Sequence, residues 1–318
     1  MKVLFSAPFD FIKNIIEELG LSSKFEITYK EIWKENELPS EGLDYDAWIP
    51  NPGQNFIINK KILSNFSCLR VISTPSTGTN HIDLNDCKNN SVKVFGLLDQ
   101  MDGLNEITAS AEFTFLKVLA SIRNLRSAWN EVSAGRWREN ENLMRGKEID
   151  ELEFGLIGMG RIGKKLVSYL EPFDPKSIKY YDPNTVCHLN SAKKVSSIEK
   201  IFESSDVIIM CLSLNENTFN LIGEKLFNLM KKNAILINTS RGEIIVESEL
   251  INFLMERPDV KFSADVIQGE VVNQHLSNNL ISLHNNNRIN LTPHIAGASS
   301  GSQTKAAILA IRAIESYE

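Results

Sequence analysis

The chain has 318 residues, more than one ordinary hydrophobic core holds, so two domains are expected. Its composition, 42% apolar and 23% charged, is ordinary for a soluble globular protein, and its net charge of -6 comes with no basic run or basic-aromatic stripe, which excludes nucleic acid as an expected partner. No apolar stretch approaches the ~20 residues that span a bilayer, so no membrane partner is expected either.

The opening stretch MKVLFSAPFD carries one lysine and an apolar run too short for a signal-peptide core. KVLFS (2–6) reads as a strand and FIKNIIEELG (11–20) as an amphipathic helix closed by Gly20. DAWI (46–49), LRVIS (69–73) and VKVF (92–95) read as further strands, an alternation that predicts a parallel sheet with crossover helices. One long helical pattern over 105–129, free of proline and internal glycine, precedes a charged stretch, 130–151, that reads as a surface connection or arm.

From residue 153 a second βα series begins. Its strands are EFGLIG (153–158), IKYY (178–181), DVIIMC (206–211), AILIN (234–238), VKFSAD (260–265) and RINLT (288–292), with a helix at 161–170 stopped by Pro172. NNN at 285–287 marks a loop, and 302–318 is an amphipathic terminal helix. Cys68, Cys87, Cys187 and Cys211 lie far apart and show no metal-ligand spacing, so reduced thiols, a cytoplasmic setting and no metal are expected.

GLIGMGRIG supplies Gly158, Gly160 and Gly163 as G-x-G-x-x-G between a strand and a helix. The first glycine suits a tight turn, the second a close approach of pyrophosphate, and the third helix-on-strand packing. The helix N-terminus then turns N–H groups and partial positive charge toward an anion. Asp182, 19 residues after Gly163 and at the end of the next strand, suits ribose hydroxyls. No Arg or Lys follows it in DPNT, so NAD is expected rather than NADP.

Hydride transfer to a 2-keto acid also needs a cation for the carboxylate and carbonyl, an acid for the developing alkoxide, and a partner that keeps that acid protonated. Arg241, in LINTSRGE, suits the first task, because a guanidinium fork matches a carboxylate. His294, in NLTPHIAG, suits the second and Glu270, in SADVIQGE, the third. Each follows a strand end, where open α/β sheets bind ligands, and Gly242 is expected to give the turn after Arg241 its freedom. Taken singly, each of the three has a blander reading as a solvated or salt-bridged side chain. Their coincidence with the glycine turn favours the catalytic one.

Together, STGTNHIDL (76–84), NEITASAE (105–112), GLIGMGRIG, INTSRG, SADVIQGE and TPHIAG resemble the D-isomer-specific 2-hydroxyacid dehydrogenase family along nearly the whole chain. The resemblance implies an α/β fold of two doubly wound parallel-sheet domains. A Rossmann NAD-binding domain, 104–295, is inserted in a flavodoxin-like substrate domain, 1–103 and 296–318. It implies NAD as cofactor and a homodimer built through the inner domain and the 130–150 arm. It assigns Arg241 to the substrate, His294 to acid/base work, Glu270 as its partner, and backbone at Thr77 and Gly78 to the substrate carboxylate. Asp265 supports the nicotinamide side, and Arg161 and Ile162 face the pyrophosphate. Leu212, Ser213, Thr239 and Ser240 line the cofactor cleft.

Several positions depart from the family pattern. Val271 stands where proline is usual, Phe113 where histidine is common, and Ser76-Thr77-Gly78 replaces the usual small-hydrophobic-glycine loop. MCLSL carries Cys211 and Ser213 in place of the usual His and Pro. In IPNPGQN (49–55), Pro50 stands about where phosphoglycerate-type members carry arginine, which predicts a small non-phosphorylated D-2-hydroxy or 2-keto acid. A rival reading is an NAD-sensing protein like the co-repressors of this fold, which keep the same triad. A third, formate-type oxidation, is disfavoured by Glu270.

Overall fold

All strands of the computed structural model, which describes residues 1–186, 189–272 and 276–317, pair in parallel, in two separate sheets. The chain forms two compact units. One holds Met1–Ile107, a short stretch beginning at Glu270, and the chain from Ala298 onward. The other holds Thr108–Gly269 and the chain that closes at Gly297.

The first unit contains β1 (Lys2–Phe5), β2 (Glu26–Tyr29), β3 (Ala47–Ile49), β4 (Val71–Ser73) and β5 (Lys93–Phe95), in the order β2-β1-β3-β4-β5. That is the flavodoxin-like order. The central strands are short continuous apolar runs because both faces of a parallel sheet are covered. The helix Ser300–Tyr317 returns to this sheet. Its Ala307, Ala310, Ile311 and Ile314 pack with Val3, Phe5, Ile12 and Ile16, so the end of the chain shares a core with the beginning. β2 was not foreseen: EITY is an edge strand of exposed and half-buried residues, with no apolar run to mark it.

The second unit contains β6 (Glu153–Ile157), β7 (Ser177–Tyr181), β8 (Ala192–Lys194), β9 (Val207–Met210), β10 (Ile235–Asn238), β11 (Lys261–Ala264) and β12 (Ile289–Leu291). Their order is β12-β11-β10-β9-β6-β7-β8, a Rossmann arrangement with one added strand. The chain runs outward from β6 to β8, then returns to start β9 on the other side of β6. A crevice opens at that reversal, outside the carboxyl ends of the strands. β8, with the sequence AKK at the sheet edge, also escaped sequence reading.

The helical pattern over 105–129 is not one helix. It divides into Ala109–Ile122 and Leu125–Ser133, with Asn124 between them at φ 50. Asparagine tolerates the left-handed region better than other non-glycine residues, so a break needs neither proline nor glycine. The Asn124 amide donates to the Arg145 carbonyl at 2.7 Å, and Lys261 donates to its oxygen, which together hold the break.

The polar stretch that follows is folded. Glu131 is buried and accepts the Arg136 guanidinium at 2.6 and 2.7 Å and the Asn140 amide at 2.7 Å. Arg136 is the main reason its carboxyl is held down at about 2. Among the described residues, no helix is long and apolar enough to cross a membrane, and no cluster of His, Cys, Asp and Glu could hold a metal ion. Cys68, Cys87 and Cys211 are free thiols, and Cys187 lies outside the described residues.

Candidate active site

In the second unit all strands point the same way, so their carboxyl ends form one row. β6 ends in the glycine turn. Gly158 sits at φ +96, and a Cβ there would meet the Cys211 carbonyl oxygen at 2.4 Å. This is where β6 and β9 part at the reversal, so bare backbone is required. A Cβ on Gly163 would meet the Gly158 carbonyl oxygen at 2.5 Å, so the helix Arg161–Leu170 packs as closely as its sequence allows. Gly160 differs from both. Nothing lies within 4 Å of the point where its Cβ would be, at the N-terminus of a ten-residue helix. That open space, bordered by half-buried Arg161 and Ile162, fits a dinucleotide's pyrophosphate at the N-terminus of the helix. Burial lowers the Arg161 pKa from its ordinary value.

Asp182 ends β7. Its Oδ2 accepts the Met159 N–H at 2.8 Å, and its Oδ1 accepts those of Asn184 and Thr185 at 2.9 and 2.8 Å. Burial pushes this carboxyl up, but the bonds outweigh it and hold the group below its usual range. Asp182 therefore stays ionised and ties the glycine turn to the end of β7. With Tyr181, Pro183, Lys194, Val195 and Ser196 it lines a hollow of about 440 Å³. Lys194, on the unforeseen β8, brings a cation to this hollow that the DPNT segment did not reveal. Its ammonium donates to the Thr185 carbonyl at 3.0 Å.

β10 delivers Arg241 through an Asn turn. Asn238 is buried; its Oδ1 accepts the Ser240 N–H at 2.9 Å and its Nδ2 donates to the Arg241 carbonyl at 2.9 Å. Ser240 Oγ donates to the Met210 carbonyl at 2.8 Å and accepts the Leu212 N–H at 3.2 Å, joining the ends of β9 and β10. Arg241 itself is half-buried, with Nη1 donating to the Ser240 carbonyl at 2.6 Å. Gly242 departs from expectation in its reason. Its φ is not positive; instead, a Cβ would sit 2.0 Å from the Ile267 carbonyl carbon. Close approach of the turn 267–269, rather than torsional freedom, requires glycine there.

That turn is gripped by two carboxylates. Glu247 accepts the Gln268 N–H at 3.2 Å and Glu243 accepts the Gly269 N–H at 3.1 Å. Burial, offset by that bond and reinforced by Glu243, raises the Glu247 pKa. Glu270 follows directly in the chain, is half-buried, and groups with the first unit.

Asp265, just past β11, is 1% exposed. Its Oδ1 accepts the Thr292 hydroxyl and the Ile295 N–H (3.1 Å), and its Oδ2 accepts the Ala296 N–H at 2.7 Å. Its carbonyl accepts the His294 N–H at 2.8 Å. These bonds fold residues 292–296 into a turn that exposes His294 at φ 53. A left-handed non-glycine residue that neighbours hold in place often marks a working site.

Three organising residues escaped sequence reading. Asn238 gave only the ordinary signal of an Asn after a strand. Thr114 and Lys117 were hidden within a helical pattern: Thr114 Oγ1 lies 2.7 Å from Thr239 Oγ1, and Lys117 Nζ donates to the carbonyls of Ala264 and Asn290 at 2.9 and 3.0 Å. Ser213 is exposed, its carbonyl accepting the Thr218 hydroxyl at 2.7 Å.

In the first unit, the loop with Thr77 and Gly78 is braced from behind. Ser76 Oγ donates to the Gly78 carbonyl at 2.6 Å and lies 3.0 Å from Thr74 Oγ1, which in turn lies 3.0 Å from Nε2 of buried His81. The 49–55 loop is held by its own amide, with Asn51 accepting the Gly53 N–H at 2.9 Å. Lys61 is paired with Glu35 at 2.6 Å.

The family pattern for the D-isomer specific 2-hydroxyacid dehydrogenase NAD binding domain matches residues 115–296. A glyoxylate reductase of Pyrococcus horikoshii is 28% identical, over 92% of this chain and 87% of its own length. A glyoxylate reductase of Thermofilum pendens is 30% identical, over 80% of this chain and 74% of its own. The solved structure of a D-lactate dehydrogenase from Aquifex aeolicus, complexed with NAD and lactic acid, matches with a TM-score of 0.81. It covers all of this chain and 95% of its own at 22% identity, a likeness of fold.

The glycines separate packing from binding. Gly163→Ala is expected to lower unfolding stability by about 1–3 kcal/mol, because the neighbour it meets is backbone. Gly160→Ala is expected to change stability by less than ~1 kcal/mol. It should weaken NADH binding about tenfold, equivalent to ~1.4 kcal/mol. Urea unfolding and fluorescence titration with NADH check the pair.

Lys117 makes a pH prediction. Burial lowers its pKa from 10.5 to about 8; Asp265 opposes the shift and Arg126 adds to it. Arg126 also donates to the carbonyl of His284, the other titratable group on this side. Between pH 8 and 10.5 the unfolded chain holds a proton that the folded chain has released, so stability rises with pH across that window. The Lys117→Met variant should lack this rise when its denaturation midpoints are compared with the parent's.

Proposed function

The chain belongs to the D-isomer-specific 2-hydroxyacid dehydrogenase family, and from that premise we propose that it reduces a small, non-phosphorylated 2-keto acid with NADH, or oxidises the matching D-2-hydroxy acid with NAD. The carrying observation is that Arg241 and His294 follow the carboxyl ends of β10 and β12, the two parallel strands that flank β11, in a sheet whose glycine turn leaves room for pyrophosphate. When bound, the dinucleotide supplies or accepts the hydride at C2. By the family resemblance, backbone at Thr77 and Gly78 is assigned to the substrate carboxylate. Arg241 binds a carboxylate and polarises the carbonyl, so that negative charge developing on oxygen meets a fixed cation. His294 delivers its ring proton to that oxygen as the C–H bond forms, and takes it back in the oxidative direction. Glu270 is, by the family resemblance, the partner assigned to that histidine.

Pro50 and the self-bonded 49–55 loop offer no cation to a phosphate, which supports a non-phosphorylated substrate. The comparisons give no support to the nucleotide-sensing reading. Free thiols at Cys68, Cys87 and Cys211 support a cytoplasmic setting. We further propose a homodimer through the arm. Trp129, Val132, Trp137 and Leu143 are 63%, 54%, 76% and 57% exposed on a segment that Glu131 and Arg136 hold in shape.

NADH oxidation against glyoxylate, hydroxypyruvate, pyruvate and longer 2-keto acids tests the activity. At least one should be turned over, and tight NADH binding with no turnover of any would sink the reading. His294→Gln should lower kcat about 10²–10⁴-fold. Arg241→Ala should raise KM and lower kcat together, because one residue serves binding and polarisation. Preference for 3-phosphohydroxypyruvate over hydroxypyruvate would refute the substrate class. Light scattering should report a dimer that replacement of Trp129 and Trp137 by serine converts to monomer; a monomeric parent would remove the arm from its proposed role.

A further inference from the structure

Lys117 stands on the buried face of the helix Ala109–Ile122 and is 3% exposed. An ammonium there is costly unless it is fully engaged, and an apolar residue of similar size would stabilise the core as well or better. The bonds it makes are not placed at random. Its two carbonyl partners sit where β11 and β12 are about to leave the sheet. Ala264 is the last residue of β11 and is paired with Leu291, the last of β12; Asn290 comes one residue earlier. The next residues are Asp265 on one strand and Thr292-Pro293-His294 on the other. Asn290 lies on the edge strand β12, so the lysine ties the edge of the sheet to the end of β11. One turn earlier on the same helix, Thr114 meets Thr239, just past β10 and two residues before Arg241. One helix thus grips three strand ends in succession.

We propose that Lys117 is a positioning residue for the transfer site: its ammonium, bridging the carbonyls of Ala264 and Asn290, sets the spacing of the strand ends that present Asp265 and His294. Asp265 spends its oxygens on the His294 turn, so a shift of β11 against β12 is passed directly to the imidazole. The Phe113 ring, 5.9 Å from the ammonium, and the Asp265 charge offset its burial. The glycine turn and Asp182 follow β6 and β7, beyond β10 and β9, so cofactor binding through them does not depend on this bridge. The proposal rests on the reading that His294 moves the proton in keto-acid reduction.

Lys117→Met keeps the length and removes the donors. Its kcat on the best 2-keto acid of the parent is expected to fall about tenfold or more, since small displacements of reacting groups are costly. The NADH dissociation constant should stay within about twofold, which is under ~0.5 kcal/mol. The thermal midpoint at pH 7 should not fall, and the His294 Cε1–H resonance should move. Lys117→Ala should recover part of its kcat when propylammonium is added. Two results overturn the proposal. One is a Lys117→Met enzyme with kcat within twofold of the parent and an unmoved His294 resonance. The other is a joint loss of kcat, NADH affinity and thermal midpoint, which marks a merely structural lysine. Should the parent reduce no 2-keto acid at all, the functional reading fails, and the His294 resonance alone then decides whether Lys117 sets its position.

Discussion

The carboxylate of Asp265 is the interaction on which the proposed chemistry most depends. It is almost wholly buried, and a buried charge is tolerated only when hydrogen bonds replace its lost water. Those bonds come from Thr292, Ile295 and Ala296, and the Asp265 carbonyl takes the His294 N–H. The histidine backbone is therefore held in a conformation that few residues adopt unaided. In sequence, Asp265 is assigned by resemblance to the nicotinamide side. The geometry adds an organising role that motif reading does not convey.

The same economy recurs along the row of strand ends. Asn238 folds the turn that presents Arg241, Ser240 ties that turn to β9, and Asp182 ties the glycine loop to β7. A parallel sheet satisfies its backbone up to the last paired residue and no further. Each strand end therefore needs a side chain of its own to finish the accounting of donors and acceptors. Such side chains are polar, buried and close to the crevice, which makes this edge of the sheet rigid enough to carry a reaction.

What could be read in the sequence follows from how strongly each feature is marked there. Central strands such as VIIM and ILIN are continuous apolar runs bounded by polar residues, and they announce themselves. Edge strands β2 and β8 carry no such run, because only part of their surface meets the core. The glycine turn was legible because steric exclusion leaves few alternatives at Gly158 and Gly163. The reason for glycine at 242 is not legible locally, since the turn that crowds it lies 25 residues away in the chain. Lys117 was invisible: a lysine in a helical pattern reads as a solvated face, and only the packing of that helix reveals that it points inward.

The interruption at Asn124 separates two mechanical jobs. The helix before it carries Thr114 and Lys117 at fixed rotational phase against the sheet, and the helix after it begins the arm. In an unbroken rod, every insertion or deletion near its far end would turn one part against the other by ~100° per residue, as 3.6 residues per turn dictates. A single left-handed residue resets the winding, so the helix that begins the arm takes its own rotational phase while the interior grip keeps its register.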